Sequence, residues 1–273
     1  MLAYALAALT ALAPMTGLIE AGPHPDGSTS ATATALAPSA LAPSTLAPSA
    51  LYRVLMVRAA PGELLDLIDL YKAEFEILED QGEARPFWMR HTQGDHWDLM
   101  LIYPMGSFSD YYDPERARRL AEARTADGRT GAQLDRDILG AISWREDLYV
   151  SGPPLEEVAS RFAVNDFYHV EIFVTLPGKR DALVEEREME NVFLRGAGRP
   201  DNLIFVREAG AEWDCFTLGF YRDLQHYAEV ADVPSEVEDR AAREAGFESA
   251  GVIGNFMRSL ILYHNDTLLV SIR

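Results

Sequence analysis

The feature that most constrains this chain is an internal similarity between its two halves. When the sequence is compared with itself at a shift of 116 positions, Tyr52-Arg53-Val54 meets Tyr168-His169-Val170. A G-x-x-W-D pattern starts at Gly94 and again, at the same shift, at Gly210. A fixed internal spacing of this kind indicates that one structural unit occurs twice. The spacing therefore predicts that about a hundred residues are duplicated within one chain.

Both halves also show the same order of hydrophobic periodicities. The first half predicts a strand at 51–58, a helix at 63–79, strands at 86–92 and 97–103, a helical region at 109–123, a helix at 133–142 and a strand at 144–150. The second half predicts a strand at 167–175, a helix at 179–193, strands at 202–207 and 213–221, a helical region at 224–245 and strands at 259–263 and 267–272. Near its end the shift becomes 114, which aligns Gly140 with Gly254 and Tyr149 with Tyr263.

The resulting order, βαββαβ twice, is that of the split βαβ or ferredoxin-like unit, an antiparallel sheet with helices on one face. Because the other face must also be covered, we expect the two sheets to pack together. In this the chain resembles the dimeric α+β barrel superfamily in a fused, tandem-repeat form. It is similar to the antibiotic-biosynthesis monooxygenases, the NIPSNAP-like and EthD-like proteins, and the chlorite dismutase and haem-degrading branches. The resemblance implies an α+β fold with ferredoxin-like repeats at 51–155 and 162–273.

The first fifty residues have a different composition from the rest. They contain no Lys or Arg, and residues 1–13 read MLAYALAALTALA, an apolar run typical of a signal peptide that lacks its basic start. From residue 22 to 50 the chain is rich in Ala, Pro and Ser, with the pentads ALAPS, ALAPS and TLAPS. Prolines at five-residue intervals exclude a helix, so this segment is predicted to be a disordered linker. We expect a signal peptide at 1–21 and a periplasmic or secreted protein, or alternatively a cytoplasmic protein with an unusual leader.

Composition and missing motifs exclude several function classes. The net charge of −19 opposes binding to nucleic acid, because the surface repels phosphates. One cysteine allows neither an intrachain disulfide nor a Cys-rich metal cluster, and no apolar stretch is long enough for a transmembrane span. Phosphate-binding glycine loops, HExxH and GxSxG patterns are missing. We therefore expect no nucleic-acid partner, no metal and no organic cofactor.

Candidate catalytic residues are sought where the two halves differ. His169 lies where the first half has Arg53, and a period of two places His169, Glu171 and Phe173 on one strand face. A His and a Glu in this arrangement form a base and the carboxylate that orients it. If this face lines a cavity, His169 would deprotonate a small substrate. The alternatives are a buried ion-pair network with Arg53 between the sheets, and a partly exposed strand.

Four aromatic or charged residues are the candidates for lining a ligand pocket, namely Arg53, Phe173, Trp97 and Trp213. The repeated Trp-Asp pairs also have a simpler interpretation, a core Trp with a satisfied N–H and an Asp that fixes the hairpin. In the haem-binding branches that the chain resembles, a proximal histidine lies on a helix above the sheet. His226 is the candidate for that role, with a surface or packing histidine as the alternative. Cys215 is predicted to be buried and unreactive.

Three functions remain open at this point. The first is a non-catalytic barrel that binds a small apolar or aromatic molecule or a protein partner. The second is a cofactor-free enzyme of monooxygenase or isomerase type, with His169 as base and Glu171 as its orienting group. The third is a haem-binding protein that uses His226. Since fused repeats already supply the pairing that single-repeat relatives obtain by dimerising, we expect a monomer or a homodimer.

Overall fold

The computed structural model describes residues 49–272, whose strands and helices follow the order that the periodicities predict except at α5 and at the last strand. The strands are β1 (Ala50–Ala59), β2 (Phe87–Gln93), β3 (Leu99–Pro104), β4 (Ile142–Gly152), β5 (Phe167–Thr175), β6 (Leu203–Gly210), β7 (Cys215–Tyr221) and β8 (Ile261–Ser271). The helices are α1 (Leu64–Asp80), α2 (Phe108–Tyr111), α3 (Pro114–Glu122), α4 (Gly131–Gly140), α5 (Leu155–Phe162), α6 (Arg180–Gly196), α7 (Leu224–Ala228), α8 (Ser235–Glu244) and α9 (Ile253–Arg258). The predicted signal peptide and nearly all of the predicted linker lie outside the described residues.

The strands pair antiparallel into a closed barrel in the order β1-β3-β2-β8-β5-β7-β6-β4. Each half contributes four neighbouring strands, and the halves meet at two seams, β2 with β8 and β4 with β6. Pairing within the halves has the same register at a shift of 116, since Arg53 lies opposite Tyr103 and His169 opposite Gly219. The predicted α+β barrel is thus confirmed. No helix within residues 49–272 is both long enough and apolar enough to cross a membrane.

The end of the second half differs from the prediction. The two strands expected at 259–263 and 267–272 are one continuous strand, β8, which pairs with β5 along its length. Across the sheet Arg53 faces Tyr149, whereas His169 faces Leu268. The register therefore makes Leu268 the counterpart of Tyr149, and the predicted alignment with Tyr263 is wrong. The polar residues 264–266 inside β8 have a composition typical of a turn, but their backbone groups pair with those of β5. Helix α5, between the halves, was not predicted.

Apolar side chains from both halves fill the interior of the barrel. Phe205 stacks on Phe216 with ring centroids 4.6 Å apart, and Tyr52 meets Phe205 edge to face at 5.6 Å. Trp97 and Trp213 belong to the same interior cluster, so the interpretation of both as core residues is confirmed. One detail differs from the prediction of a core Trp with a satisfied N–H. The indole N–H of Trp97 has no acceptor among the described residues.

The aspartates of the repeated motif fix the end of the first strand in each half. The Asp98 carboxylate accepts a hydrogen bond from the backbone N–H of Ala59 at 2.8 Å. The Asp214 carboxylate accepts from the backbone N–H of Thr175, also at 2.8 Å, and from the hydroxyl of the same residue. These carboxylates satisfy backbone donors where the strands leave the barrel. Their role in both halves is therefore structural.

The glycines of the same motif allow the two seams of the barrel to close. Gly94 has φ of +114°, and a Cβ at this position would lie 2.4 Å from the carbonyl oxygen of Asp266 on β8. Gly210 has φ of +99°, and its Cβ would lie 2.5 Å from the carbonyl oxygen of Asp147 on β4. Each glycine thus lies against the last strand of the other half. Only a residue without a side chain permits that approach.

We predict that Gly94→Ala and Gly210→Ala each lower the free energy of unfolding by roughly 2–4 kcal/mol. Gly62→Ala is the matched control, because Gly62 also has a positive φ of +90° but nothing lies within 4 Å of its added Cβ. It should cost only about 1 kcal/mol. Urea unfolding of the three variants measures the difference. Equal losses at Gly62 and Gly94 would show that close strand packing at the seam is unimportant.

Candidate functional site

A cavity of about 310 Å³ lies on the outer face of the barrel in the second half of the chain. Its walls come from β5 and β7 below and from α6, α7 and the adjoining loops above. The lining residues are His169, Glu171, Glu190, Leu194, Arg199, Asn202, Tyr221, Tyr227 and Ala228. The cavity therefore combines two tyrosine rings and a leucine with carboxylates, an imidazole, an amide and a guanidinium.

One position on the outer face differs clearly between the two halves. In the first half Tyr103 projects from β3 into the space below α1, where its hydroxyl donates a 3.1 Å hydrogen bond to Glu74. The register places Gly219 at the equivalent position of β7. A Cβ on Gly219 would lie 2.8 Å from the side-chain oxygen of Asn202 and 3.2 Å from the ring of Tyr221. The second half thus has bare backbone where the first half has a phenol.

The predicted pair His169 and Glu171 lines this cavity, but the structure gives the two side chains different partners. Glu171 accepts a 3.0 Å hydrogen bond from the Thr217 hydroxyl and lies 3.6 Å from a guanidinium nitrogen of Arg187. His169 Nε2 lies 3.8 Å from Oδ1 of Asp266 on β8. The carboxylate beside the imidazole is therefore that of Asp266.

Arg53 lies on the outer face of the first half, away from His169 and Glu171. Its Nη2 is 2.5 Å from Oδ1 of Asp147, and Nη2 of Arg145 is 2.5 Å from the other oxygen of the same carboxylate. The alternative of one ion-pair network that joins Arg53 to His169 and Glu171 is therefore wrong. Arg53 belongs to a separate network on β1 and β4.

The two halves place an aspartate at equivalent positions with different neighbours. Asp147 lies opposite Leu55 across the sheet, as Asp266 lies opposite Glu171. Two arginines flank Asp147, whereas Asp266 lies between His169, at 3.8 Å, and His264, whose Nδ1 is 3.5 Å from Asp266 Oδ2. The second half thus has two imidazoles where the first half has two guanidinium groups. It also has a carboxylate, that of Glu171, where the first half has the leucine Leu55.

A buried ion-pair cluster supports the cavity wall from α6. The Arg187 guanidinium is 2% exposed and contacts the carboxylates of Glu186 at 2.6 Å and Glu190 at 2.6 Å. It also covers the ring of Phe173 at 5.0 Å. Burial raises the pKa of the Glu190 carboxyl to about 7, although Arg187 acts in the opposite direction. A lining carboxyl of the cavity therefore exchanges its proton near neutral pH.

The other predicted site residues lie outside the cavity lining. Phe173 is fully buried beneath Arg187, and Trp97 and Trp213 lie inside the barrel. His226 on α7 accepts a 3.1 Å hydrogen bond at Nδ1 from the backbone N–H of Arg222. Its ring contacts Tyr221 edge to face.

Cys215 agrees with the expectation of an unreactive side chain. It is buried at the start of β7, and burial raises the pKa of its thiol to about 12. The thiolate that a nucleophile requires is therefore scarce at neutral pH.

Comparison with known proteins gives a fold and no family. No protein-family model matches the chain, and no curated protein matches its sequence. Among solved structures, an anthrone oxidase-like protein superposes with a TM-score of 0.50 at 12% identity, covering 82% of this chain and 92% of the other. A monooxygenase predicted in Lactobacillus acidophilus NCFM gives 0.48 at 6% identity, covering 82% and 94%. A mutant chlorite dismutase from Candidatus Nitrospira defluvii gives 0.44 at 11%, covering 83% and 93%. The chain has the α+β barrel fold.

The candidate haem ligand predicted from the sequence is His226. His226 is outside the lining, and its Nδ1 is engaged by backbone. The lining carboxylates Glu171 and Glu190, with Asp266 beside them, would repel the propionates of haem. The residues present do not fit haem.

Sequence analysis missed Asp266, His264 and Gly219. The β-strand periodicity places His264 and Asp266 on the same face of β8, but the prediction of two strands hid this relation. A shift of 119 in place of 114 at the last strand would have aligned Asp266 with Asp147. Gly219 was visible as the counterpart of Tyr103 at the shift of 116.

Both halves have a partly buried glutamate at the same position of their long helix, Glu74 in the first half and Glu190 in the second. The pH dependence of stability can be tested at Glu74. Glu74 lies on α1 at the position of Glu190, and burial raises the pKa of its carboxyl from 4.5 to about 7. The folded chain thus holds this proton more tightly than the unfolded chain. The contribution to stability is complete below about pH 4.5 and is lost as the pH rises through 7.

We predict that Glu74→Gln raises the free energy of unfolding relative to wild type by roughly 1–3 kcal/mol at pH 8. The gain should be close to zero at pH 4.5, and the new amide oxygen can still accept from Tyr103. Glu76→Gln, an exposed change on the same helix, is the control and should show no such pH dependence. Urea unfolding of wild type and both variants at pH 8 and at pH 4.5 measures these differences in the free energy of unfolding. A gain at Glu74 that does not vary with pH would contradict the assignment.

Proposed function

We propose that this chain is a small-molecule-binding α+β barrel whose ligand occupies the cavity between β5, β7 and α6. The observation that carries the proposal is the cavity itself, whose lining combines two tyrosine rings with polar side chains on the outer face of the second half. The position equivalent to Tyr103 is Gly219 there, and the side chains of Asn202 and Tyr221, both in the cavity lining, lie over it. We infer that the two halves arose by duplication, because their strand registers coincide at a shift of 116. In this account the equivalent space of the first half is filled by the Tyr103 side chain, which has a structural role there.

The walls of the cavity indicate the class of ligand. Tyr221 and Tyr227 present aromatic rings, and Leu194 adds an apolar side chain. Asn202 and Arg199 offer hydrogen-bond donors to a hydroxyl or carbonyl oxygen. The lining carboxylates disfavour an anion. A flat, uncharged aromatic molecule with one or two oxygens fits this combination, and the anthrone oxidase-like protein of the same fold suggests anthrone as a first probe.

Isothermal titration with 1-naphthol and with anthrone tests the proposal. We predict one molecule bound per chain and an affinity at least about tenfold lower in Tyr227→Ala, because the variant removes one aromatic wall. Tyr112→Ala, an exposed tyrosine of the first half, is the matched control and should leave the affinity unchanged. If neither probe binds, or if both variants lose affinity equally, the cavity is not the ligand site.

His169 favours a second candidate function, cofactor-free catalysis by proton transfer. Its imidazole lines the cavity, and the Asp266 carboxylate lies 3.8 Å from Nε2. An imidazole so placed can take a proton from a carbon next to a carbonyl group and return it, which is the elementary step of isomerase chemistry. In this proposal Asp266 takes the orienting role that the sequence assigned to Glu171.

Exchange of the methylene protons of anthrone for deuterium, followed by NMR in D₂O, tests this step without a known substrate. We predict that the wild-type chain accelerates the exchange and that His169→Gln abolishes the acceleration while anthrone still binds. A purely structural His169 would instead cost stability on the order of 1–3 kcal/mol and leave any exchange unchanged. That result would remove the catalytic candidate.

A further inference from the structure

Three potential metal ligands meet at the edge of the cavity in the second half. One donor atom each of Glu171, His264 and Asp266 lies within 4.8 Å of the other two. Glu171 on β5 is directly opposite Asp266 on β8, and His264 is two residues before Asp266 on the same face of that strand. Backbone pairing of two adjacent strands therefore fixes the spacing of all three side chains.

The charge around these groups is not balanced by the protein. In the first half Arg53 and Arg145 neutralise Asp147. In the second half the equivalent neighbours of Asp266 are imidazoles, and the Arg187 guanidinium near Glu171 also contacts Glu186 and Glu190. The position thus has an excess of negative charge that a cation would relieve.

The ring of His264 is held in place, and one of its nitrogens has only a long contact to a carboxylate. The imidazole stacks on Phe173, with centroids 5.8 Å apart and planes 9° apart. Its Nδ1 is buried, and although Oδ2 of Asp266 lies 3.5 Å away, no well-formed hydrogen bond satisfies it among the described residues. A buried nitrogen without a partner costs free energy, and coordination of a metal ion would satisfy it.

We propose that Glu171, His264 and Asp266 bind one divalent transition-metal ion of the Zn²⁺ class, with a coordination position open toward the cavity. One imidazole and two carboxylates, without a thiolate, are ligands that Zn²⁺ and its neighbours accept. Ligand atoms in a tetrahedral zinc site lie roughly 3.3 Å apart, so the three side chains need to close by no more than about 1.5 Å. Three protein ligands with one open position is the arrangement of a catalytic rather than a structural zinc site.

The open position would face the same space as the proposed aromatic ligand. His169 lies beside it, 3.8 Å from Asp266. An ion there would polarise a hydroxyl or carbonyl oxygen of a bound molecule. The inference therefore deepens the proposed function, although binding of the ion is tested without any organic ligand. It also replaces the sequence-based expectation that the protein binds no metal.

Titration of the metal-free full-length chain with ZnCl₂ by calorimetry tests the proposal. We expect one ion per chain, with an affinity at least about tenfold lower in each of Glu171→Gln, His264→Gln and Asp266→Asn. His96→Gln is the matched control, because His96 is an exposed histidine whose Nδ1 lies 2.7 Å from Asp95. This variant should bind Zn²⁺ as wild type does. Circular dichroism of the metal-free variants verifies that each is folded.

A second measurement uses the wild-type chain alone and does not depend on the folding of any variant. Nitrogen-15 NMR of the histidine rings should show that Zn²⁺ shifts the Nδ1 signal of His264 and leaves His96 and His226 unchanged. The proposal is overturned if no stoichiometric binding occurs, if the three variants bind as wild type does, or if the shifted signal belongs to another histidine. Binding of 1-naphthol with and without EDTA separates this failure from failure of the aromatic site.

Discussion

Closure of the barrel at its two seams is the constraint on which the rest of the structure depends. The strands of one half can pair with those of the other only if the backbones approach closely where β2 meets β8 and β4 meets β6. Gly94 and Gly210 permit that approach, and the Trp and Asp of the same motif fill the interior and fix the strand ends. Because side chains fill the closed interior, the cavity of the second half lies on the outer face, beneath the helices.

The two halves use one scaffold for different purposes. In the first half the outer face is closed by Tyr103 and by arginines on both sides of Asp147, groups whose charges and bonds are satisfied. In the second half the same positions hold Gly219 and, around Asp266, two histidines. These changes remove permanent positive charge from the outer face of the second half. The cavity on this face is lined by an imidazole and two carboxyl groups.

The sequence was sufficient for the architecture because the repeat and the periodicities are local signals. Strand β5 was predicted to the residue, and His169 and Glu171 were placed on the face that lines the cavity. The rest depended on the register of a distant strand. Asp266 and His264 lie almost a hundred residues from β5, and the polar run in β8 reads as a turn until its pairing is known. The cavity itself is formed by side chains from β5, β7, α6 and α7 that no sequence motif connects.

A crystal structure of the chain grown with 1-naphthol would test most directly the claim that only the second half carries the ligand site. The account predicts density for the aromatic ring between β5, β7 and α6, in contact with Tyr227, and none between β1, β3 and α1 beside Tyr103. Density in the first half or inside the barrel would contradict it, because Tyr103 and the interior side chains already fill those spaces.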